Sequence, residues 1–493
     1  MHLLIRPLGS RPRPTRLISI LAGLILTTPL IAGEAPRRAN VVLIVADDLR
    51  PDALGFSGNA QIKTTHLDRL AQRGAVFSRA TCGYPICNVS RSEMFAGRIL
   101  LGSEVNRNNQ GGLKFDPQWI LWPEHMKRSG WHTVYSGKWH VTGSPWLNGF
   151  VETAGLYSGG GGPPGVKATI PKTPTGRAVT GYNGWTFKTD KNEPLPDLGV
   201  GLTPQTDGIV ADRAIDAIRR AGDKPLFMQI NFIAPHDPLH WPAGQENAVD
   251  YRTLTLPANF REAPAFDTGN VAGRDERIVP APRTAEEVKK ERAIYFTLVE
   301  NVDRQIGKIV QALEETGQLA HTIIIVTSDH GLALGSHGLM GKQNQYDHTI
   351  NVPLLMAGPG IPTGQRFAAQ CYLRDLYPTI CELTGLMVPP SVEGLSLVPV
   401  LRGKKTEVRD AIFGYFTETQ RMIRMTDGWK LIWYPKIEKL QLFDLANDPS
   451  EQRDLAAAPG QAERIERMKG RLGQWQCEHN DPAPPPRLAM RAP

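Results

Sequence analysis

Cysteine is scarce in this 493-residue sequence, repeats of fixed period are absent, and only one apolar run is long. Each shortage removes a class of protein. Five cysteines (Cys82, Cys87, Cys371, Cys381 and Cys477) are too few for a disulfide scaffold, and their odd number leaves at least one unpaired or modified in an exported chain. Cys87 is the candidate for that one. Cys371 and Cys381 are close enough in sequence to staple a local turn, if their geometry allows it. The single long apolar run, Leu17 to Ile31, follows Arg6, Arg11, Arg13 and Arg16 and precedes Ala32, Gly33 and Ala35, the layout of a signal peptide over residues 1–33. It is short for a membrane helix, so a secreted or periplasmic protein with no span after cleavage is expected. Losing residues 1–32 removes four arginines and no acid, lowering the formal charge from +7 to +3. A balance so near neutral gives no support to a nucleic-acid partner.

What the chain does hold is an alternation of strands and helices. Its length exceeds that at which single cores stop growing, so a large domain with a smaller companion is expected. Residues 40–46 read NVVLIVA, a strand buried on both faces, and end in Asp47-Asp48. Thr65 is placed to cap a helix over HLDRLAQR, which Gly74 stops; Pro123 opens the next helix, and HTVYSG returns as a strand before Lys138-Trp139-His140. Residues 143–202 are rich in Gly, Pro and Thr and hold no sustained period, which predicts a long surface excursion. A helix over 204–221 leads to the strand PLFMQINFIA and then Pro235-His236-Asp237, after which a second irregular stretch runs to Pro282. Thr284-Ala285-Glu286-Glu287 is a capping box opening an amphipathic helix that lasts to Gly317, and HTIIIVTS ends in Asp329-His330. A further helix is expected near residues 375–383. Beyond Leu386, short strands are predicted at 411–416, 420–426, 428–434 and 440–445, with Asp427-Gly428 as a hairpin turn, and a helix at 462–475. The fold class is therefore α/β, a large doubly wound mixed sheet sandwiched by helices over 36–385, with a smaller α+β domain of four antiparallel strands plus a helix over 386–482 and a Pro-rich tail over 483–493.

Four of these strands end in side chains of catalytic type, and in open α/β sheets the ligand crevice lies outside the carboxyl ends of strands. Asp47, Asp48 and Asp329 together make an oxygen-ligand set for calcium or magnesium. His330 is an unusual partner for calcium, and hydrogen bonding from behind the ligands is its other reading. His140 and His236 have the ordinary pKa for proton transfer near neutrality. Lys138 and Lys342 would give charge-assisted hydrogen bonds to a tetrahedral anion. Cys87 opens the helix-like CNVSRSEMFAGR. Alone it reads as a small buried cysteine; beside these partners it reads as the precursor of a nucleophile.

The segments NVVLIVADDLRPD, CNVSRSEMFAGR, SGKWH, APHDP, VTSDHGLALGSHGLMGK and LFDLANDPSEQRDLA, in this order, resemble a type I, formylglycine-dependent sulfatase of the alkaline-phosphatase superfamily. The Asp329-His330 pair is similar to that of iduronate-2-sulfatase-like members, and the Cys371/Cys381 spacing resembles that of a disulfide in that subgroup. The resemblance implies that a formylglycine-generating enzyme oxidises Cys87 to Cα-formylglycine, whose hydrate attacks the sulfur of a sulfate ester. It also implies that His236 protonates the leaving oxygen, Lys342 holds sulfate oxygens, and His140 takes a proton so that sulfate departs. Lys138 and Arg91 would fix the hydrate, with Asp47, Asp48, Asp329, His330 and the residue at Cys87 around a calcium or magnesium ion. Val89 stands where the family pattern Cys-x-Pro-Ser-Arg has proline. The expected substrate is a sulfated polysaccharide or oligosaccharide, with small sulfate esters also open. The alternatives are a phosphodiesterase or phosphonate hydrolase of the same superfamily, and a non-catalytic binder of sulfated glycans if Cys87 stays a thiol. Residues 143–202 and 237–282 are expected to wall the pocket, and His240 and Trp241 either touch a sugar ring or pack.

Overall fold

The computed structural model describes residues 38–101, 113–160, 168–179 and 181–488, so the leader expected over 1–33 and the last residues of the tail lie outside the described residues. Nine strands form the large sheet. They are β1 (Asn40–Ala46), β2 (Gly74–Thr81), β3 (His132–Lys138), β4 (Glu152–Ser158), β5 (Thr186–Lys188), β6 (Leu226–Asn231), β7 (Thr322–Ser328), β8 (Asn351–Ala357) and β9 (Gln365–Tyr372), ordered β5-β4-β3-β6-β1-β7-β8-β2-β9. The run β4-β3-β6-β1-β7 is parallel, whereas β8 lies antiparallel to both its neighbours and β5 to β4.

The aliphatic runs become strands because both faces of the sheet are covered. In β1, Val42, Ile44 and Ala46 enter one core, and Val41, Leu43 and Val45 enter the other. The first core is closed by helices α1 (Thr65–Gln72), α4 (Thr206–Arg220) and α5 (Ala285–Glu315), the second by α2 (Cys87–Ala96), α3 (Trp122–Arg128) and α6 (Leu376–Thr384). The Thr284–Glu287 capping box forms as expected at the start of α5. Strands β10 (Ala411–Phe416), β11 (Gln420–Met425), β12 (Trp429–Tyr434) and β13 (Lys439–Asp444) make a separate antiparallel sheet in sequence order. Its residues also alternate: Ile412, Met422, Ile432 and Phe443 join the second core, while Ile423, Leu431 and Leu442 pack with Met468, Leu472 and Trp475 of α7 (Ala462–Glu478). The smaller sheet is thus fused to the larger by a shared core, and Arg38 onward is one compact unit.

Three expectations change. Residues 143–202 are not a bare excursion, since they supply β4 and β5 at one edge of the sheet, and β9 forms the other edge. β5 and β9 have one partner each and need less apolar sequence, so their signal is weak. Thr64, not Thr65, precedes α1, and Gly74 opens β2 instead of ending the helix. The cysteines are all free thiols: Cys371 is buried at the end of β9, and Cys381 Sγ faces His125 Nδ1 at 3.7 Å.

Candidate active site

The carboxyl ends of β1, β3, β6 and β7 meet the start of α2. Asp48, just past β1, has a left-handed backbone (φ 67°). Its N–H donates to Asp329 Oδ1 at 3.2 Å, and its carbonyl accepts from the Tyr295 hydroxyl of α5 at 2.7 Å. Those bonds hold a conformation that a non-glycine residue rarely adopts. On β3 the register slips between Tyr135 and Gly137, where φ is 85° and a Cβ would lie 2.1 Å from the Asn231 carbonyl oxygen. The close approach turns Lys138 toward Asp47, whose carboxylate accepts from Lys138 Nζ.

Cys87 is the first residue of α2 and is buried. Its Sγ lies 3.3 Å from Asp47 Oδ1, 3.3 Å from His330 Nε2 and 3.6 Å from Lys342 Nζ. One turn on, Arg91 donates to Asp329 Oδ2 at 2.9 Å, Asp47 Oδ2 at 3.3 Å and Asn231 Oδ1 at 2.7 Å. Lys342 Nζ reaches both oxygens of Asp48 at 3.0 Å and His236 Nε2 at 2.7 Å. His236 Nδ1 in turn faces the carbonyl of Asp237 and its Oδ1, the latter at 3.1 Å. Three buried carboxylates are therefore matched by three buried cations, which is what burial of so many charges requires.

These partners decide the protonation states. Burial pushes the Asp47 carboxyl up, but the Lys138, Arg91 and Lys342 charges outweigh it and hold it well below the usual range. Asp48 has less help; burial prevails over Lys342 and His330, and its pKa rises to about 6. Burial lowers His330, yet Asp329, Cys87 and Asp48 overcome it and raise its pKa well above the ordinary value, and the same negative charges would favour a metal ion in place of that proton. His236 is driven down by burial and by Lys342, and His140 to about 3 by burial and Lys138. Both imidazoles are therefore neutral near pH 7, and burial beside the lysines disfavours their protonation.

A cavity of about 370 Å³ opens above Cys87. Lys138, His140, His236 and Lys342 line it, and His140 Nδ1 is buried there without a partner. Asp47, Cys87, Asp329 and His330 offer ligand atoms within 4.8 Å of one another, as do Asp47, Asp48, Cys87 and His236. Carboxylates from two strand ends suit a hard divalent cation, so the residues fit such an ion.

A family model described as "Sulfatase" matches residues 39–386. The chain belongs to the sulfatase family. The sulfatase is accordingly a sulfuric ester hydrolase of the alkaline-phosphatase superfamily, and residues 335–478 also match the model of the N-sulphoglucosamine sulphohydrolase C-terminal region. An arylsulfatase of Clostridium perfringens is 29% identical, aligned over 88% of this chain and 93% of its own. Among solved structures, BT4656, in complex with its substrate D-glucosamine-2-N,6-O-disulfate, superimposes with a TM-score of 0.71 at 21% identity, covering 91% of this chain and 99% of its own. The phosphonate monoester hydrolase of Silicibacter pomeroyi also reaches 0.71, at 22% identity, covering 90% and 96%. Both likenesses concern the fold. Among the described residues of the sulfatase, no helix is long and apolar enough to cross a membrane.

Several residues around the cavity had no sequence signal of their own. Tyr182, Trp185, Asn270, Arg274 and Asp275 come from the two irregular stretches. Tyr182 sits edge-on to His236 at 5.0 Å and beneath Lys138 Nζ at 5.2 Å, while Trp185 sits edge-on to His140 at 5.7 Å. Arg274 pairs with Asp237 at 3.1 Å and with Asp275. Asn231 and Asp237 were findable, because one ends a strand and the other follows His236 directly. His240 and Trp241 do not line the cavity; His240 is buried, and Trp241 packs against the first core.

Proposed function

We propose that this sulfatase is exported and hydrolyses sulfate esters on a polysaccharide or oligosaccharide, using Cα-formylglycine made from Cys87. The observation that carries the reading is Cys87 itself: a thiol at the start of a helix, within 3.6 Å of an acid, an imidazole and an ammonium group. As a thiol it would form a stable sulfur adduct. As a hydrated aldehyde it can release sulfate by re-forming its carbonyl.

Asp47, Asp48, Asp329 and His330 would hold a calcium or magnesium ion, which supplies Lewis acidity and charge for a developing oxyanion. Lys342 binds sulfate oxygens. The incoming anion then offsets the Lys342 charge that opposes protonation of His236, so His236 can carry the proton that its Nε2 delivers to the leaving oxygen. Asp237, at Nδ1, orients that ring. Lys138 and Arg91 fix the side chain at position 87 through Asp47, the carboxylate that all three meet. His140, unpartnered at Nδ1, takes the proton that frees sulfate once the bound anion offsets the Lys138 charge that opposes its protonation. Trp185 and Arg274 at the cavity mouth suit a sugar ring with an anionic substituent, and the disulfated glucosamine bound by BT4656 supports that substrate class.

The test is release of inorganic sulfate from sulfated oligosaccharides and aryl sulfate, measured beside aryl phosphodiester and phosphonate ester hydrolysis. Sulfate release dominating in kcat/KM is expected. Faster phosphonate or phosphodiester turnover would reassign the chain to the reaction of its phosphonate hydrolase neighbour.

A further inference from the structure

A second group of metal-binding side chains lies outside the Cys87 cluster. His337, on the loop leading to Lys342, His348, on the turn before β8, and Glu451, on the loop after β13, place one ligand atom each within 4.8 Å of one another. All three are more than nine-tenths buried. Neither ring nitrogen of His348 has a hydrogen-bond partner. A buried imidazole with both nitrogens unsatisfied is rare and calls for something to occupy it.

The neighbours are arranged around that gap. Asn259 Nδ2 donates to the Ser450 carbonyl at 2.7 Å and to His337 Nε2 at 3.0 Å, so Nε2 is the unprotonated nitrogen, whose lone pair an ion would take over from the amide. Tyr346 stacks on the His337 ring at 3.8 Å and fixes its plane. The two imidazoles lie 5.6 Å apart at 32°, a spacing that lets a nitrogen of each reach one ion at about 2.0–2.1 Å. Glu451 accepts from Lys430 Nζ at Oε1 at 2.6 Å and from the Asp347 N–H at Oε2 at 2.8 Å. Its Oε2 is 4.0 Å from His337 Nε2, a gap that a shared ion would draw closed. Lys430 is shared between Glu451 and Asp347, the latter at 2.7 Å, and Arg50 pairs with Asp52 at 2.6 Å. His348 and Glu451 also line a cleft of about 540 Å³, which gives an ion a path in and leaves room for a water ligand.

We propose that His337, His348 and Glu451 form a second metal site, for zinc or a similar borderline divalent cation, which ties the Lys342 loop to the C-terminal sheet. Two imidazole nitrogens and one carboxylate favour such an ion over calcium, whereas the carboxylate-rich set beside Cys87 favours the reverse. An ion bridging residues 337, 348 and 451 would stabilise the folded chain by mass action.

The experiment uses the full chain, stripped by chelator and brought into excess calcium so that the oxygen-rich set is filled, then dialysed against zinc. Bound zinc is measured by plasma mass spectrometry in the wild type, in Cys87→Ser and in His348→Gln. One zinc per chain is expected in the wild type and in Cys87→Ser, with none in His348→Gln, and zinc should raise the melting temperature of Cys87→Ser only while His348 is present. Zinc retained in full by His348→Gln, or absent from Cys87→Ser, overturns the proposal. If His348→Gln does not fold, cobalt in Cys87→Ser decides: intense visible bands of a four-coordinate site support it, and their absence refutes it.

Discussion

The centre of the large sheet and its edge contribute to one cavity in different ways. At the centre, the ends of β1 and β7 carry Asp47, Asp48, Asp329 and His330, each buried and held by at least two partners. At the edge, β4, β5 and the irregular stretches bring Tyr182, Trp185, Asn270 and Arg274, held mainly by ring contacts and a half-exposed ion pair. A network of mutually neutralising buried charges tolerates no loss, because every member leaves another uncompensated. The uncharged ring of Trp185 can vary without leaving a buried charge uncompensated, whereas Arg274 answers Asp237 and Asp275. Chemistry belongs to the centre and choice of substrate to the edge.

The largest break would come at the centre. Cys87→Ala should lower kcat by about 10⁴-fold or more on every sulfate ester, with circular dichroism unchanged, since nucleophile removal abolishes the covalent route. His236→Ala should cost about 10²–10⁴-fold on sugar sulfates, whose leaving oxygen needs a proton, and far less on activated aryl sulfates. Equal losses on both would remove His236 from proton delivery.

Beneath the smaller sheet, burial holds His337 down to about 3, with Lys430 and Arg261 adding to the effect. Its folded pKa is below the unfolded value of about 6.5, so the unfolded chain binds the extra proton and stability falls as pH drops below that value. In metal-free protein this one residue should cost about 2 kcal/mol between pH 7 and pH 5, and His337→Gln should flatten the decline in denaturant melts. At the edge, Trp185→Ala should lower kcat/KM about tenfold for a sugar sulfate and leave aryl sulfate nearly untouched. Loss on both substrates would place this residue with the centre. The smallest effect is expected from Val89→Pro. Position 89 is in the first turn of α2, where helix geometry asks nothing of its N–H, so proline is tolerated and should raise the fraction of Cys87 converted.

The same division governs what could be read from the sequence. β1 and β7 announced themselves through uninterrupted aliphatic residues, because both faces needed apolar cover, and the residues after them pointed to the cavity by topology alone. The four strands of the smaller sheet fell within a residue or so of their expected limits, helped by the Asp427-Gly428 turn. β5 and β9 escaped notice because an edge strand has one partner and can be short or polar, and β4, paired on both sides, because ETAGLYS holds few apolar residues. Tyr182 and Arg274 escaped because a residue on an irregular segment has no period to betray where it points. Val89 was a departure from a motif in the sequence; in the fold it is fully buried with Tyr84 and Ile86 against the smaller sheet, which explains an apolar residue there.

The central claim is that Cys87 becomes an aldehyde despite Val89. Mass spectrometry of the Cys87 peptide from active protein made in its native host tests it most directly. A peptide lighter by the exchange of a thiol for an aldehyde, and captured by a hydrazide probe, is the predicted result. Sulfate turnover by protein whose Cys87 is quantitatively an unmodified thiol would contradict it.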